Sequence, residues 1–234
     1  VNYHEFEELN IMNILITGVA GFIGHCWASH LLNKHKKYKI IGIDNFDNYY
    51  SVKYKKNRLN NLKKYKNFYF SKVDIGNKLK LSKFFKKYKF TQVYHFAAQA
   101  GVRYSLVNPK KYIDVNIHGF INICENLVKN KIKKFIYASS SSVYGDTKVF
   151  PVSEDLKKNP KNIYGYSKLI NEIIAEYYSQ NFKINSIGLR FFTVFGSWGR
   201  PDMLIIKLLN ANKKNKNFYL NNSGDHYRDF TSIN

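Results

Sequence analysis

The chain of 234 residues has only two cysteines, few acidic residues and no long apolar run. Cys26 and Cys124 are too few for a disulfide framework, and both fall in apolar helical patterns, which predicts buried thiols in a reducing compartment. No stretch of about 18 apolar residues occurs, so we expect neither a transmembrane helix nor a membrane partner. Three glutamates in the first eight residues stand where a secretory signal would need a basic segment and an apolar block. We therefore expect a cytoplasmic protein, and we expect no metal site.

Acidic residues are outnumbered, with 16 against 38 lysines and arginines, which gives a net charge of +22. Such an excess is also found in nucleic-acid-binding modules, which bind DNA or RNA in a strongly salt-sensitive manner. The lysines are spread along the whole chain, in pairs such as Lys36-Lys37 and Lys63-Lys64, between Asn, Tyr and Ile residues. This pattern is typical of solvated surfaces. We expect no nucleic-acid partner, although the charge would attract an anionic substrate.

Three glycines follow the first apolar segment, in the sequence Leu15-Ile-Thr-Gly18-Val-Ala-Gly21-Phe-Ile-Gly24. This spacing is typical of a strand, turn and helix in which the turn approaches a pyrophosphate and the helix N-terminus faces the phosphates. A second apolar segment, residues 40–43, ends at Asp44, about 20 residues past the last glycine, where a carboxylate would hold the ribose hydroxyls of adenosine. Because that carboxylate would repel a 2′-phosphate, the sequence predicts NAD as cofactor in preference to NADP.

Apolar strand patterns alternate with helical patterns along most of the chain. The predicted strands lie at 13–17, 38–43, 67–71, 91–96, 132–138 and 184–190. The predicted helices lie at about 22–34, 54–65, 77–88, 109–130 and 162–180. Strands that alternate with helices of this length indicate a parallel sheet covered on both faces. The expected fold is therefore α/β, a Rossmann-like doubly wound parallel sheet.

The alternation divides the chain into three parts. Residues 1–11 lack the pattern and are interpreted as an N-terminal extension, and residues 12–190 as the NAD-binding domain. From residue 191 the sequence is rich in Gly, Arg and aromatic residues, with a predicted helix near 203–213 and a strand-like segment at 217–220. Residues 191–234 are interpreted as the beginning of a small substrate-binding lobe. The chain ends before such a lobe could close its own core, so we expect a C-terminally truncated lobe.

Tyr164 and Lys168 lie four residues apart at the start of the last predicted helix of the NAD-binding domain, so they share one helix face. A neighbouring ammonium favours the phenolate and so lowers the pKa of a tyrosine, which is about 10 in water. The pair could then exchange a proton with a sugar hydroxyl while hydride moves to NAD. Residues 139–142, all serine, follow a predicted strand, and one of their hydroxyls could complete a proton relay. The alternative for this run is a serine turn that caps a helix.

These motifs resemble those of the extended short-chain dehydrogenase/reductase superfamily and, within it, the nucleotide-sugar 4-epimerases. The matching segments span residues 12–231 in the same order as in that family. They include Ala98-Gln-Ala-Gly-Val-Arg103, the Tyr164/Lys168 pair and Trp198-Gly-Arg-Pro-Asp-Met203. The first and last of these strings are more specific than the superfamily motifs and are most similar to those of UDP-glucuronate 4-epimerases.

The resemblance implies a role for each matching position. Tyr164 would be the catalytic base, Lys168 its partner and Ser140 the assisting hydroxyl. The implied NAD-binding residues are Gly18, Gly21, Phe22, Ile23, Gly24, Asp44, Asn45, Asp74, Ile75, Ala97, Ala98, Gln99, Asn116, Ser139, Tyr164 and Lys168. The implied substrate-binding residues are Arg103, Ser140, Ser141, Ser142, Tyr164, Thr193, Arg200 and Arg228. Within this second set, Arg228 would bind the diphosphate and Arg200, with several hydroxyls, the sugar carboxylate, since a buried carboxylate needs several donors.

The implied activity is NAD-dependent 4-epimerisation of a UDP-sugar, above all of UDP-glucuronate to UDP-galacturonate, through a 4-keto intermediate. UDP-glucose 4-epimerase and UDP-glucuronate decarboxylase activities are alternatives, whereas a 4,6-dehydratase would need an Asp-Glu pair in place of Ser141 and Ser142. A chain that binds NAD without catalysis is a further alternative, because an incomplete lobe would leave the substrate site open to water. The resemblance also suggests polysaccharide biosynthesis and a homodimer formed through the helices near 109–130 and 162–180.

Overall fold

The computed structural model describes residues 12–224 and 229–234, and its centre is a parallel sheet of six strands in the order β3-β2-β1-β4-β5-β6. The strands are β1 Asn13–Thr17, β2 Lys39–Asp44, β3 Phe68–Lys72, β4 Gln92–His95, β5 Lys134–Ser140 and β6 Asn185–Phe191. The inner strands are apolar without alternation because helices cover both faces of the sheet. All six predicted strands are confirmed, with each boundary within two residues of its predicted position.

Helices connect the strands and cover the sheet. They are α1 Phe22–Lys34, α2 Val52–Leu62, α3 Lys78–Phe85, α4 Tyr104–Val107, α5 Pro109–Tyr112, α6 Gly119–Lys129, α7 Ile163–Phe182 and α8 Leu204–Lys213. Between α5 and α6, Ile113–His118 form a π-helical turn, so the helix predicted over 109–130 is present but is not α-helical throughout. The side chain of Asn162 accepts a hydrogen bond from the backbone N–H of Gly165, which fixes the first residue of α7.

The sheet separates two apolar cores. One lies beneath α1 and α2 and contains Leu32 and Leu62, both fully buried. The other lies beneath α3, α6 and α7 and contains Phe85, Phe120 and Phe135. The molecule is therefore the predicted Rossmann-like fold, with one layer of strands between two layers of helices.

The strand order reverses beside β1. The chain proceeds outward from β1 through β2 and β3, and then returns to place β4 on the other side of β1. Thr17 is paired with Ile43 of β2 and with His95 of β4, so the carboxyl ends of these three strands lie at one level. Doubly wound sheets bind their ligands in the crevice at such a reversal.

Lysines are concentrated at the opposite edge of the sheet, where the strands begin. They lie in the last helical turns and in the connections that lead to β2, β3, β4, β5 and β6. These lysines are Lys34, Lys36, Lys37, Lys39, Lys63, Lys64, Lys66, Lys86, Lys87, Lys89, Lys129, Lys131, Lys133, Lys134 and Lys183. These five connecting stretches contain no Asp or Glu, and every one of these lysines except Lys39 is exposed. Cations at these positions complement the C-terminal ends of the helix dipoles. We call this surface the lysine edge.

Three features differ from the sequence prediction. Residues 217–220, predicted to be strand-like, form no regular secondary structure. A second sheet of two parallel strands, β7 Thr193–Phe195 and β8 Phe230–Ser232, is not indicated by the sequence pattern. Cys124 is buried as predicted, but Cys26 is only half-buried because it lies on the side of α1 that faces the loop at Ser197. Within residues 12–224 and 229–234, no helix is long and apolar enough to cross a membrane.

Candidate active site

The glycine turn between β1 and α1 brings a helix N-terminus to the crevice. Gly18 has a φ of +68°, and a Cβ atom there would lie 2.7 Å from the backbone nitrogen of Ala97. Gly24 packs so closely on the carbonyl oxygen of Gly18 that any side chain would collide with it. Gly21 is the N-cap of α1, and no side chain caps this helix, so the first amides of α1, which follow at Phe22, are not engaged by a side chain. Such a helix start can accept an anionic group.

Asp44 ends β2 on the same side of the crevice. Its carboxylate oxygens accept hydrogen bonds from the backbone amides of Ala20 (3.1 Å) and Phe46 (2.8 Å). Burial raises the pKa of Asp44, while these two amides and the charges of Lys55 and Arg58 act in the opposite direction. The carboxylate is therefore held beside the glycine turn, at the position that the sequence predicts for a group that binds ribose hydroxyls.

A neutral histidine joins the ends of β1 and β4. Nδ1 of His95 lies 2.7 Å from Oγ1 of Thr17, and the same hydroxyl oxygen accepts a hydrogen bond from the backbone N–H of Ala97 (3.1 Å). Burial and, to a smaller extent, the charge of Lys168 lower the pKa of His95 to about 3. The imidazole is therefore neutral at physiological pH, and this small network fixes Ala97 against the glycine turn.

Asn116 joins the segment after β4 to the start of α7. Its Oδ1 accepts a hydrogen bond from the backbone N–H of Gln99 (2.7 Å), and its Nδ2 donates to the carbonyl oxygen of Gln99 (3.1 Å) and to Oγ of Ser167 (3.0 Å). Ser167 in turn donates to the carbonyl oxygen of Tyr164 (2.7 Å). Asn116 belongs to the π-helical turn, a distortion that is frequent at functional sites. The predicted cofactor residues Gln99 and Asn116 are thereby linked to the helical turn that carries Tyr164.

The three predicted catalytic residues converge at the carboxyl end of β5. Ser140 is the last residue of β5, and its side chain lies beside that of Tyr164 in the first turn of α7, close enough to favour the phenolate. Lys168, one turn further along α7, is buried and donates from Nζ to the carbonyl oxygen of Ala138 (2.8 Å). A hydroxyl, a phenol and an ammonium therefore lie together at the crevice.

The pKa values of this group differ in part from expectation. The sequence predicts that Lys168 lowers the pKa of Tyr164. In the structure burial raises the pKa of Tyr164, although the side chain of Ser140 and the charge of Arg200 act in the opposite direction. Burial also lowers the pKa of Lys168 to about 8. The difference arises because the lysine ammonium is directed to the Ala138 carbonyl, so that burial has the larger effect on the phenol.

The serine run forms a short turn against α7. Ser141 and Ser142 begin a 3-10 turn, and Oγ of Ser140 caps it by accepting the backbone N–H of Ser142 (3.2 Å). A Cβ atom on Gly165 would lie 2.7 Å from the carbonyl oxygen of Ser142, so the absence of a side chain lets α7 approach this turn. Ser139 donates its hydroxyl to Glu172 of α7 (2.5 Å). The run therefore caps a turn and also places Ser140 beside the phenol.

Arg200 lies near Tyr164 and is oriented by Asp202. Its Nε and Nη2 donate to the two carboxylate oxygens at 3.0 and 2.5 Å, and Tyr49 donates its hydroxyl to the same carboxylate (3.2 Å). Such a paired arrangement fixes the plane of the guanidinium. Arg200 and Thr193 line one cavity of about 220 Å³, whose other walls come mainly from apolar residues of β7, β8 and α8. Two of the residues predicted to recognise a sugar carboxylate therefore share a cavity.

Arg58, which belongs to none of the sequence motifs, anchors the loop that precedes Arg200. Arg58 of α2 is fully buried and donates to the carbonyl oxygens of Trp198 (2.5 Å) and Gly199 (3.3 Å). In the sequence, Arg58 lies beside Leu59 on the face of α2 that becomes buried. A charged residue within an apolar helical stripe is the signal that could have identified it.

The remaining predicted site residues are less closely associated. Asn45 donates to the carboxylate of Asp74 (2.9 Å), and Ile75 packs against Gly119 at the start of α6. Arg103 is exposed at the start of α4. Arg228 lies outside the described residues.

Comparison with protein families and curated proteins gives consistent matches. Residues 14–234 match the NAD-dependent epimerase/dehydratase family. The chain is 46% identical to protein CapI of Staphylococcus aureus over 226 residues, which are 95% of this chain and 66% of CapI. It is 40% identical to UDP-glucuronate 4-epimerase of Thermodesulfobacterium geofontis over 220 residues, which are 94% of this chain and 67% of that enzyme.

The structure is similar to that of a solved epimerase. It matches UDP-glucuronic acid 4-epimerase of Bacillus cereus, in complex with UDP-glucuronic acid and NAD, with a TM-score of 0.89 and 38% sequence identity. The match covers 95% of this chain and 69% of the Bacillus chain. This chain thus spans about two thirds of the length of each of these three relatives.

Proposed function

The chain belongs to the NAD-dependent epimerase/dehydratase family, and from that premise we propose that it binds NAD and converts UDP-glucuronate to UDP-galacturonate by epimerisation at C4 of the sugar. The observation that carries the proposal is the position of Arg200, which lines a cavity with Thr193 and lies close enough to Tyr164 for its charge to act on that phenol. The relatives named as UDP-glucuronate 4-epimerases, at 38–40% identity, support it. Residues 12–190 would form the NAD-binding domain, and residues 191–234 part of a substrate-binding lobe.

The residues around the glycine turn fit a dinucleotide. The start of α1 has no side-chain cap, so its amides suit a pyrophosphate. The carboxylate of Asp44, held by two backbone amides, suits the two ribose hydroxyls of adenosine and disfavours a 2′-phosphate. Gln99, Asn116 and Lys168 lie at the other end of the crevice, where we place the nicotinamide half. NAD, when bound, supplies an acceptor for hydride from C4 of the sugar and a donor for its return.

We assign proton transfer to Tyr164. Its phenolate oxygen would take the proton from O4 of the sugar as the C4–O4 bond becomes a carbonyl, and would give a proton back when the hydroxyl is restored. Ser140 lies beside Tyr164, and its hydroxyl would assist the transfer of the same proton. With a pKa lowered to about 8, Lys168 is mostly charged at neutral pH. One helical turn from Tyr164, its ammonium would favour a phenolate that forms during the reaction.

The carboxylate of the sugar would lie against Arg200 and Thr193. A guanidinium whose plane is fixed by Asp202 can present parallel N–H groups to a second carboxylate. Ser141 and Ser142, in the turn that begins after Ser140, would add hydroxyl donors. UDP-glucose offers no carboxylate to these groups, so we favour UDP-glucuronate as substrate.

The decisive test is the reaction product. The purified chain, incubated with NAD and UDP-glucuronate, should yield UDP-galacturonate on chromatography, and Tyr164→Phe should lower turnover by at least about 100-fold, as expected for loss of a general base. Tyr164→Phe should still bind NAD, since Asp44 and the glycine turn are unchanged. An active Tyr164→Phe chain would contradict the assignment of the base.

Other products distinguish the alternatives. Release of CO2 would indicate a decarboxylase, and turnover of UDP-glucose in preference to UDP-glucuronate would indicate a UDP-glucose 4-epimerase. NAD binding without any product, in a chain that gains activity when extended by the C-terminal third of a relative, would indicate that this chain binds the cofactor without catalysis. We also propose a homodimer formed through α7 and the helical region at about residues 109–130.

A further inference from the structure

Arg58 carries a buried charge whose partners are not carboxylates. The side chain is fully buried, and its hydrogen-bond partners among the described residues are three carbonyl oxygens and the hydroxyl of Tyr50. Its guanidinium lies 4.7 Å from the centre of the Tyr54 ring, and within residues 12–224 and 229–234 its Nε has no hydrogen-bond partner. The charge of Asp44 acts on Arg58 from nearby, but burying a cation that hydrogen-bonds no carboxylate is still unfavourable, and an apolar side chain of similar size would fill the same space. The arrangement therefore calls for a reason other than packing.

The acceptors of Arg58 belong to separate segments of the chain. Nη1 donates to the carbonyl oxygen of Ala20 in the glycine turn (3.1 Å) and to the hydroxyl of Tyr50 before α2 (2.6 Å). Nη2 donates to the carbonyl oxygens of Trp198 and Gly199, immediately before Arg200. The fork of the guanidinium thus joins the turn predicted to bind the dinucleotide to the loop that ends at the predicted sugar-recognition arginine.

That loop needs external support to keep its conformation. Gly196 has a φ of +140°, and Trp198, which is not glycine, has a φ of +64°. A bulky residue with positive φ persists only where its surroundings hold it. The indole of Trp198 packs at 5.6 Å, ring centre to ring centre, against both His25 of α1 and Tyr54 of α2. Arg58 supplies the hydrogen bonds that fix the backbone of the loop at the same place.

We propose that Arg58 is a positioning residue that sets Arg200 relative to the bound dinucleotide and thereby determines specificity for a sugar carboxylate. Arg58 does not line the cavity that contains Arg200, and it acts through the carbonyl oxygens that its guanidinium binds in two segments. The proposal rests on the proposed function, because it assumes that Arg200 recognises the carboxylate. A lysine at this position keeps the charge but has no planar fork, so it cannot hold both segments in the same way.

Binding measurements with NAD present test the proposal. We expect Arg58→Lys to weaken the binding of UDP-glucuronate about ten-fold, as for loss of a charge-assisted hydrogen bond, and to leave the binding of UDP-glucose within about two-fold. Adding Arg58→Lys to Arg200→Ala should cause no further loss of affinity for UDP-glucuronate, because Arg58 acts on the substrate only through Arg200. Equal losses of affinity for UDP-glucuronate and UDP-glucose, or losses of affinity that add in the double variant, would overturn the proposed role of Arg58.

A matched control separates positioning from general destabilisation. Leu62→Ala also removes a fully buried side chain from α2, but Leu62 packs in the core beneath α1 and α2 and does not touch the loop. It should lower the stability of the chain without changing the preference between the two nucleotide sugars. A change of preference in Leu62→Ala equal to that in Arg58→Lys would contradict a specific role for Arg58.

Amide hydrogen exchange gives a readout that needs no sugar. In the unmodified chain, NAD at the glycine turn should slow exchange in the 196–200 segment at least two-fold, and Arg58→Lys should abolish that slowing. Exchange that slows equally in both chains would show that Arg58 does not couple the two segments. If the unmodified chain shows the slowing but does not distinguish UDP-glucuronate from UDP-glucose, the assignment of Arg200 fails and only the coupling stands.

Discussion

Lys168 combines burial with a charge that the proposed chemistry uses. Only 3% of its surface is exposed, and its Nζ donates a hydrogen bond to the carbonyl oxygen of Ala138. Burial disfavours the ammonium, which is why the pKa falls from 10.5 to about 8. The charged form of Lys168, which would stabilise a phenolate, is therefore disfavoured by burial in the folded chain. A phenolate or an anionic substrate beside it would offset part of this unfavourable desolvation.

This leads to a prediction for stability at alkaline pH. Between pH 8 and 10.5, Lys168 is protonated in the unfolded chain but neutral in the folded one, so the unfolded state binds more protons and stability rises with pH. Relative to Lys168→Met, the unmodified chain should gain up to about 3 kcal/mol over this interval. Urea unfolding at several pH values measures the difference.

The control for this measurement is Lys134→Met, which removes an exposed lysine from the first position of β5. Its stability should follow that of the unmodified chain at every pH. Parallel curves for Lys168→Met and the unmodified chain would show that burial does not shift the titration of Lys168.

At the scale of elements, α7 is the part of the fold that assembles the site. It carries Tyr164 and Lys168 on one face, and it contacts the serine turn at Gly165. Further along, Glu172 accepts paired hydrogen bonds from Arg190 of β6 at 2.9 and 3.0 Å. The position of α7 relative to β5 and β6 therefore sets the distance between the phenol and Ser140.

Gly165→Ala should disturb this docking. The added methyl group would meet the backbone carbonyl of Ser142, which cannot move away as a side chain can. We expect a loss of about 2 kcal/mol in the free energy of unfolding from overpacking and a fall in turnover of at least ten-fold, with NAD binding retained.

Gly119→Ala is the matched substitution. Its methyl group would lie 2.7 Å from Cδ1 and 2.8 Å from Cγ1 of Ile75, and because side-chain atoms yield more readily than a backbone carbonyl, the loss of stability should be smaller than in Gly165→Ala. If Gly165→Ala proves as mild as Gly119→Ala in urea unfolding and turnover, close contact between α7 and the serine turn is not needed.

The sequence predicts most of these elements for a clear physical reason. Buried parallel strands are continuous apolar segments, and the inner strands β1 and β2 carry that signal locally. β7 and β8 are only three residues each and pair with one another across more than thirty residues, so no local pattern reveals them. Residues 217–220 have an aromatic, strand-like composition, but they find no pairing partner among the described residues. Composition alone cannot supply a partner.

The residues of the candidate site are also predictable only where a local sequence motif contains them. Asp44 and Tyr164 lie at fixed offsets from glycines or lysines in the sequence, so motifs find them. Arg58 and the Tyr49–Asp202 pair act through contacts that join distant segments, and such contacts have no fixed offset. The pKa of Tyr164 is misjudged for a related reason, because burial is a property of the fold and not of the Tyr-x-x-x-Lys spacing.

At the scale of the whole molecule, one helical surface remains apolar and exposed. Tyr166, Ile173 and Tyr177 follow one another on α7 at spacings of seven and four residues, and each is about half exposed. These spacings place the three side chains on one face of the helix. Contiguous apolar surface of this kind is typical of protein–protein interfaces.

We therefore predict that Ile173→Lys prevents self-association. The unmodified chain should sediment as a dimer and the variant as a monomer, because a buried lysine without a partner opposes association. Tyr69→Lys introduces the same charge at an exposed position of β3, at the far edge of the sheet, and should leave the dimer intact. A monomeric unmodified chain would contradict the proposed homodimer.

The lysine edge has a practical consequence for handling the molecule. Primary amines are the groups that carbodiimide-type and succinimide-type supports capture, and fourteen exposed amines lie at the edge where the strands begin. The crevice lies at the other end of the same strands, and the amine nearest to the chemistry, that of Lys168, is buried. Exposed lysines elsewhere on the described surface, such as Lys53 and Lys72, are about as numerous. A surface that couples to amines would therefore hold only part of the molecules by the lysine edge, and those molecules would have the crevice open to the solution.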